Sequence, residues 1–373
     1  MAADESRYPM VRISGSRQHI GRELGRLAKP VMAPFLSQSS TWSSLQPWRN
    51  GHPYVEELAR ATRQRHPLLW QELEGLAEGL EMQLDDLFLW NCRGDVLFKT
   101  QDGCTSVALA HEDGRRIFVG HNEDGDPFLR GRCWIVDVQP EDDEAAGFVS
   151  FYYPGSLPGH TFGVNRAGIV QTINNLRCLG ERAGVAGITG VPRMVFCRAV
   201  LDCRTLDEAV GLLRASPHAG AFHHLLASTE ARVLLSVEVA QGESCSVLDV
   251  TGGRRRYGHA NHAVHPGSER LLQQIVTESS RERQRRVDEI IERWPAGGEA
   301  DGRHVVAALK DTQGALPILR SARDDPDEEN TLATGLFELN LDDASVQLQI
   351  FERDHSLPAR TLTVREKNHL AKK

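Results

Sequence analysis

Asp102-Gly103-Cys104-Thr105-Ser106 is where the residue types and spacing of this chain offer covalent chemistry. A cysteine stands where helical texture ends and strand texture begins. The residue before it is glycine, which has no Cβ and tolerates dihedrals that other residues avoid. That freedom matters if the thiol attacks the carbonyl of its own preceding residue. Such an attack is an N-to-S acyl shift, and hydrolysis of the thioester would leave Cys104 with a free α-amine. An α-amine has a pKa of about 8 and can act as a base around neutral pH. A cysteine that carries its own base needs no separate histidine. The plain alternative is a buried cysteine after a turn glycine.

Other polar groups lie within reach of this idea. Asn122-Glu123-Asp124-Gly125-Asp126-Pro127 follows the cysteine by one hairpin, and the return of that hairpin would bring residue 124 beside residue 104. The competing reading is an acidic turn with solvated carboxylates; the EF-hand pattern is incomplete, because the later Glu is missing. Asn174 and Asn175 are adjacent, so on a strand only one of them can face a site. His259-x-x-His262-x-x-His265 has the look of a metal set. However, i, i+3, i+6 does not hold three histidines on one helix face, and no carboxylate cluster adjoins them. No metal and no cofactor is expected, and each histidine reads as a satisfied structural one. The chain lacks a G-x-S-x-G elbow, since GSLPG has the wrong spacing. It also lacks a P-loop and a G-x-G-x-x-G. A Cys-His dyad using His121 or His160 is the rival arrangement for Cys104.

Gly103-Cys104-Thr105-Ser106, followed by Gly120-His121-Asn122-Glu123-Asp124, resembles the acyl-CoA:isopenicillin N acyltransferase family of N-terminal nucleophile hydrolases. Further segments resemble that family in the same order. PGSLPG (154–159) with FGVNRAGIVQTINNL (162–176) looks most like its insect β-alanyl-dopamine hydrolase branch. GHANH (258–262) resembles its Asn-His segment, and Ile318-Leu319-Arg320 before TLAT (331–334) its C-terminal arginine and strand. Penicillin V acylases and bile salt hydrolases are more distant relatives of similar arrangement.

The resemblance implies a cut between Gly103 and Cys104, with Cys104 as nucleophile and Asp124 as the acid that orients the thiol or the new ammonium. It implies Asn261 as an oxyanion donor, a role worth roughly 3 kcal/mol. It also implies one of Asn174 and Asn175 in the site, with Asn175 favoured, and Arg320 in the cleft, with Arg323 as a competitor. Glu123 and Asp126 are candidates for binding a cationic substrate.

The elements that must position these groups read as follows. Ser16 can cap a helix with Ile20, Leu24 and Leu27 on one face. Residues 54–66 and 68–80 read as helices separated by Pro67, and 84–98 as a buried helix. From residue 102 the texture becomes that of strands. CTSVALA (104–110) and RRIFVGH (115–121) flank a turn at Glu112-Asp113-Gly114. Strand-like runs recur at 133–139, 147–153, 168–174, 223–229 and 232–240. Helices read at 206–214, with a capping box from Thr205 to Glu208, and at 280–294, with Ser279 and Glu282 in the same relation. The segment 331–353 reads as a final hairpin, and 296–302 and 321–330 as Gly-rich and acidic loops. Helices first, then many hairpin-linked strands, fit an α+β fold: a four-layer αββα sandwich of two antiparallel sheets.

The 373 residues carry a formal charge of −8, with 6% aromatics and no basic run. Nucleic-acid binding is therefore a poor reading. The start MAADESRYPMV has early acids and no apolar run, unlike a secretory signal, and no stretch approaches a membrane span. Seven cysteines without a CxxC pair fit a reducing cytoplasm rather than a disulfide framework. The expectation is one αββα domain, residues 1–373, matured into 1–103 and 104–373. These two pieces would stay together as a heterodimer, with a higher homo-oligomer left open. The enzyme would hydrolyse small N-acyl amines of the β-alanyl type through a cysteine thioester. The alternatives are acyl transfer to an amine, and an uncleaved binding protein on the same fold.

Overall fold

Gly21 and Gly25 on one helix, with Gly75 and Gly79 on another, set how the N-terminal helices cross. The structure, a computed structural model, describes residues 8–97, 103–143, 146–177, 190–215, 217–240, 245–266, 274–296, 298–322, 325, 328–352 and 357–365. After strand β1 (Met10–Gly15), helix α1 (Arg17–Leu36) starts at Ser16, whose side chain accepts from the His19 N–H. Ile20, Leu24 and Ala28 form its buried stripe, while Leu27 is half-buried. Short α2 (Ser40–Ser44), α3 (Pro53–Arg65) and α4 (Pro67–Leu80) follow. Pro67 begins α4 rather than standing between helices, because the first helical position needs no N–H partner. A Cβ on Gly21 would lie 2.0 Å from the Glu72 carbonyl oxygen, and one on Gly75 would lie 1.9 Å from that of Gln18. Only glycine lets α1 and α4 approach so closely. The expected helix over 84–98 is two pieces, α5 (Leu84–Asn91) and α6 (Arg93–Val96), broken at Cys92.

The strands form two sheets. The 8-stranded sheet runs β1, β4 (Trp134–Pro140), β5 (Phe148–Tyr152), β6 (Phe162–Asn165), β7 (Ile169–Leu176), β8 (Ala221–Ser228), β9 (Val233–Val239), β10 (Cys245–Asp249). Its β1–β4 pair is parallel; the rest is antiparallel. The 6-stranded sheet runs β11 (Arg256–His259), β2 (Cys104–Ala110), β3 (Arg116–Gly125), β12 (Asn330–Asn340), β13 (Ser345–Phe351), β14 (Pro358–Arg365). Phe162 of the first sheet meets His121 and Phe337 of the second, so the sheets pack face to face. Helix α1 lies against β1 and β4 on one outer side, with α7 (Arg193–Val200) and α8 (Leu206–Ala215) nearby. On the other side α9 (Glu278–Glu292) covers β11, and α10 (Gly302–Leu309) covers β2, β3 and β12. The layer order is αββα.

Three local expectations are corrected. Asn122–Gly125 is not a turn: it continues β3, buried throughout. Helix α9 is capped by Thr277, which accepts from Ser280 N–H, so Ser279 sits inside the helix. The loop read at 296–302 ends one residue sooner, since Gly302 opens α10, capped by Asp301. No described helix is long and apolar enough to cross a membrane.

Candidate active site

Cys104 is the first residue of β2 and only 4% exposed. The β2–β3 register sets it opposite Glu123, with Gly103 beside Asp124. Alternation then sorts the side chains. Cys104, Ser106, His121 and Glu123 face the other sheet, whereas Thr105, Asn122 and Asp124 face the α9–α10 layer.

The Gly103–Cys104 peptide is held on both sides. Its carbonyl oxygen accepts from the Asp124 N–H at 2.9 Å. Its N–H, on Cys104, donates to Asn261 Oδ1 at 2.9 Å. A Cβ on Gly103 would stand 2.3 Å from Glu329 Oε2. The glycine is thus required for space.

Asn261 lies just after β11. Its Oδ1 also accepts from Arg283 Nη2 at 2.7 Å, and its Nδ2 donates to the Asn175 carbonyl at 3.1 Å. Two donors on one side and a carbonyl on the other fix the amide orientation. Arg283, on α9, further donates to the Cys104 carbonyl at 2.5 Å and to Thr105 Oγ1 at 2.8 Å. Burial pulls this guanidinium below its ordinary value.

Asp124 is fully buried. Thr331 Oγ1 donates to its Oδ1 at 2.6 Å, across a β-bulge in the β3–β12 pairing. Oδ2 has no hydrogen-bond partner among the described residues. Burial pushes the carboxyl up to about 6, against the pull of Arg283 and Arg320. Arg320 donates to Ser279 Oγ and to Glu329 Oε2, both at 2.9 Å, and pairs with Asp325. Burial raises Glu329 to about 7, with Arg320 opposing. Asp124, Glu329 and Asp325 are thus buried together with Arg283 and Arg320.

On the inter-sheet face, Cys104 Sγ lies 3.8 Å from Glu123 Oε2, and His121 Nε2 lies 3.0 Å from the same oxygen. The Tyr153 phenol, buried and facing Glu123, is pushed well up. Cys104, His121 and Glu123 are close enough together for a divalent cation, but the hydrogen bonds joining them account for the cluster without one.

The remaining sequence candidates fall in different places. Asn175 contributes its carbonyl to Asn261, while its side chain accepts from Arg193 on α7. Asn174 points between the sheets, onto Ser106. Asp126 is half-buried and caps a short turn through Phe128 N–H at 2.9 Å. His160 Nδ1 bonds the Leu157 carbonyl. In the histidine triplet, His259 pairs with Glu238 at 3.1 Å, His262 with Ser280, and His265 with Ser236 and Ser246. Asp102 and Arg323 lie outside the described residues.

Sequence reasoning missed Arg283, Glu329 and Thr331. A signal existed for the first: Ser279 and Arg283 are i, i+4 on one helix and so share a face, where Arg283 Nε donates to Ser279 Oγ. Glu329 sat in a stretch read as an acidic loop, and nothing local marks it as buried.

The family model for acyl-coenzyme A:6-aminopenicillanic acid acyl-transferase matches residues 109–352. The chain belongs to this family. Among its relatives, the beta-alanyl-dopamine/carcinine hydrolase of Drosophila melanogaster is 24% identical over 364 residues, 89% of this chain and 90% of that protein. The 40 kDa form of the acyl-coenzyme A:6-aminopenicillanic-acid-acyltransferase of Emericella nidulans is 24% identical over 223 residues, 56% of each chain. Among solved structures, a Caenorhabditis elegans N-acylethanolamine-hydrolyzing acid amidase ortholog is similar at a TM-score of 0.42 and 15% identity, covering 62% of this chain and 92% of that one. The family match begins at Leu109, past Cys104, so the cysteine's role rests on the geometry around it.

Proposed function

We propose that this member of the acyltransferase family is an amide-cleaving enzyme that cuts its own backbone between Gly103 and Cys104. The observation that carries the reading is the grip on that one peptide bond: Asp124 N–H on its carbonyl and Asn261 Oδ1 on its N–H. A donor on the carbonyl oxygen favours charge developing there during attack. The new α-ammonium of Cys104 would find two acceptors: Asn261 Oδ1, and the buried Asp124 Oδ2 that now has none of its own partners. Deprotonated, that amine would serve the Cys104 thiol as base.

The pieces 1–103 and 104–373 would remain one αββα body. The first carries β1, paired with β4 of the second, and α1, packed on the same sheet. Turnover would form a thioester at Cys104, release the amine, and pass the acyl group to water. Asn261 Nδ2 would serve as oxyanion donor, with Arg320 and Asn175 as support. Transfer of the acyl group to an amine instead of water uses the same residues, and the family name favours keeping it as the second reading. The hydrolase relative acts on β-alanyl-dopamine and carcinine by its name, which supports small aminoacyl amides as substrates. Glu123, the carboxyl beside the thiol, would give up its proton in the matured enzyme and meet the acyl ammonium, with Asp126 beyond it. Six described free cysteines are compatible with a cytoplasmic setting.

Intact-mass spectrometry with N-terminal sequencing tests the reading. Wild type should yield a fragment beginning CTSVALA, and Cys104→Ala a single inactive chain. A wild-type chain that stays whole while hydrolysing amides refutes self-cutting.

A further inference from the structure

Before the cut, the α-nitrogen of Cys104 is an amide that donates to Asn261. It has no free pair to take the thiol proton, so the self-cutting step needs another base than the turnover step.

The hydrogen bonds between the sheets identify where a proton can go. Asn174 Nδ2 donates to the His259 carbonyl at 3.2 Å, which leaves Asn174 Oδ1 as an obligate acceptor. Ser106 Oγ lies 2.7 Å from that oxygen and must give it its single proton. The Ser106 oxygen therefore accepts from His121 Nδ1 at 2.9 Å, and His121 carries its proton on Nδ1. Burial holds the His121 ring well below its ordinary value, at about 3, so the ring is neutral and Nε2 offers a lone pair. That lone pair faces Glu123 Oε2 at 3.0 Å. Two lone pairs do not make a hydrogen bond, so the proton in this contact belongs to Glu123. The same Oε2 is the atom within S–H reach of Cys104, at 3.8 Å.

The geometry points to Glu123 and His121 as a proton relay that activates the Cys104 thiol for the self-cutting step, an inference that rests on the cut proposed above. The thiol proton passes to Glu123 Oε2 as the Glu123 proton passes to His121 Nε2. Sγ bonds to the Gly103 carbonyl carbon, and the displaced electron pair moves onto the oxygen facing Asp124 N–H. Collapse breaks the C–N bond, and the Cys104 nitrogen takes a proton back from the imidazolium through Glu123. Water then hydrolyses the thioester to the Gly103 carboxylate and the free thiol. From that point the α-amine can serve as base. Glu123 touches the reacting sulfur; His121 acts through Glu123.

The test follows cutting of freshly purified precursor by intact mass. Glu123→Gln, which keeps shape but cannot relay, should slow cutting at least tenfold while melting at the temperature of uncut Cys104→Ala. His121→Gln should show a similar loss. Glu123→Ala should regain cutting with added formate and not with formamide, which a merely structural role would not distinguish. Cutting by Glu123→Gln within threefold of wild type overturns the relay, as does equal rescue by formamide; a wild-type rate in His121→Gln removes its second member. A wild-type precursor that never cuts itself would instead overturn the proposed function.

Discussion

The backbone N–H of Asp124 donates to the carbonyl oxygen of Gly103 at 2.9 Å, so β3 reaches back to the residue just before β2 begins. This bond places the acid of the site through its main chain as well as its side chain. The carbonyl it polarises belongs to the peptide proposed to be cut. The arrangement leads to predictions for both partners.

Gly103→Ala should slow maturation about tenfold or more. The added methyl would meet Glu329 Oε2 at 2.3 Å, and Glu329 cannot swing away without leaving Arg320. Time-resolved gel analysis of the precursor measures this; a wild-type rate would show that the pocket yields freely.

Asp124→Asn should slow both maturation and turnover. The main-chain bond to Gly103 survives, but Oδ2 is replaced by a donor that would repel the new ammonium. Active-site titration of the matured fraction separates the two effects. A fully matured and fully active variant removes Asp124 from the mechanism.

Asn261→Ala should lower kcat of whatever fraction matures by roughly 100-fold or more, with a smaller change in KM, because a donor to developing charge acts mainly in the transition state. A loss of less than about tenfold would take Asn261 out of the oxyanion role.

Glu329→Gln, made in the uncut Cys104→Ala background, should gain stability relative to its parent as pH rises. Glu329 is raised from 4.5 to about 7 in the fold. Between those values the folded chain holds a proton the unfolded chain has lost, so the parent loses stability as pH climbs from about 5 to 7. The glutamine has no such loss. The difference should grow by on the order of 1 kcal/mol per pH unit across that window and flatten above it. Chemical denaturation at several pH values measures it, and a constant difference would mean that Glu329 is not perturbed.

Among β-alanyl-dopamine, β-alanyl-histamine, phenylacetyl amides, penicillin V and long-chain N-acyl amines, the β-alanyl amides should release amine fastest. Turnover of only the phenylacetyl or fatty amides would remove Glu123 as a partner for the acyl ammonium and leave the Cys104 chemistry standing.

Much of this protein was legible in the chain itself. The shift from helical to strand periodicity at residue 102 and the hairpin that follows Cys104 are local patterns. The core strands sit close to where alternation and turn residues place them, because period and turn chemistry act over a few residues. The same local logic carried the pairing of residue 124 with the neighbourhood of residue 104.

Tertiary structure alone decided what each polar group does. Asn174 and Asn175 are indistinguishable in sequence, and only the facing of β7 sends one to Ser106 and the other toward Arg193. Glycine at 103 also answers a carboxylate arriving from residue 329, more than two hundred positions along the chain, a need for space that no local pattern shows. Arg283 reaches Cys104 only because α9 lies over the edge of the second sheet. Glu123 and Asp124, neighbours with the same carboxyl group, sit on opposite faces of one strand, the first against Cys104 and His121 and the second against Thr331. Burial, which raises the Asp124 carboxyl, depends on which distant segments cover it, and no local pattern encodes that.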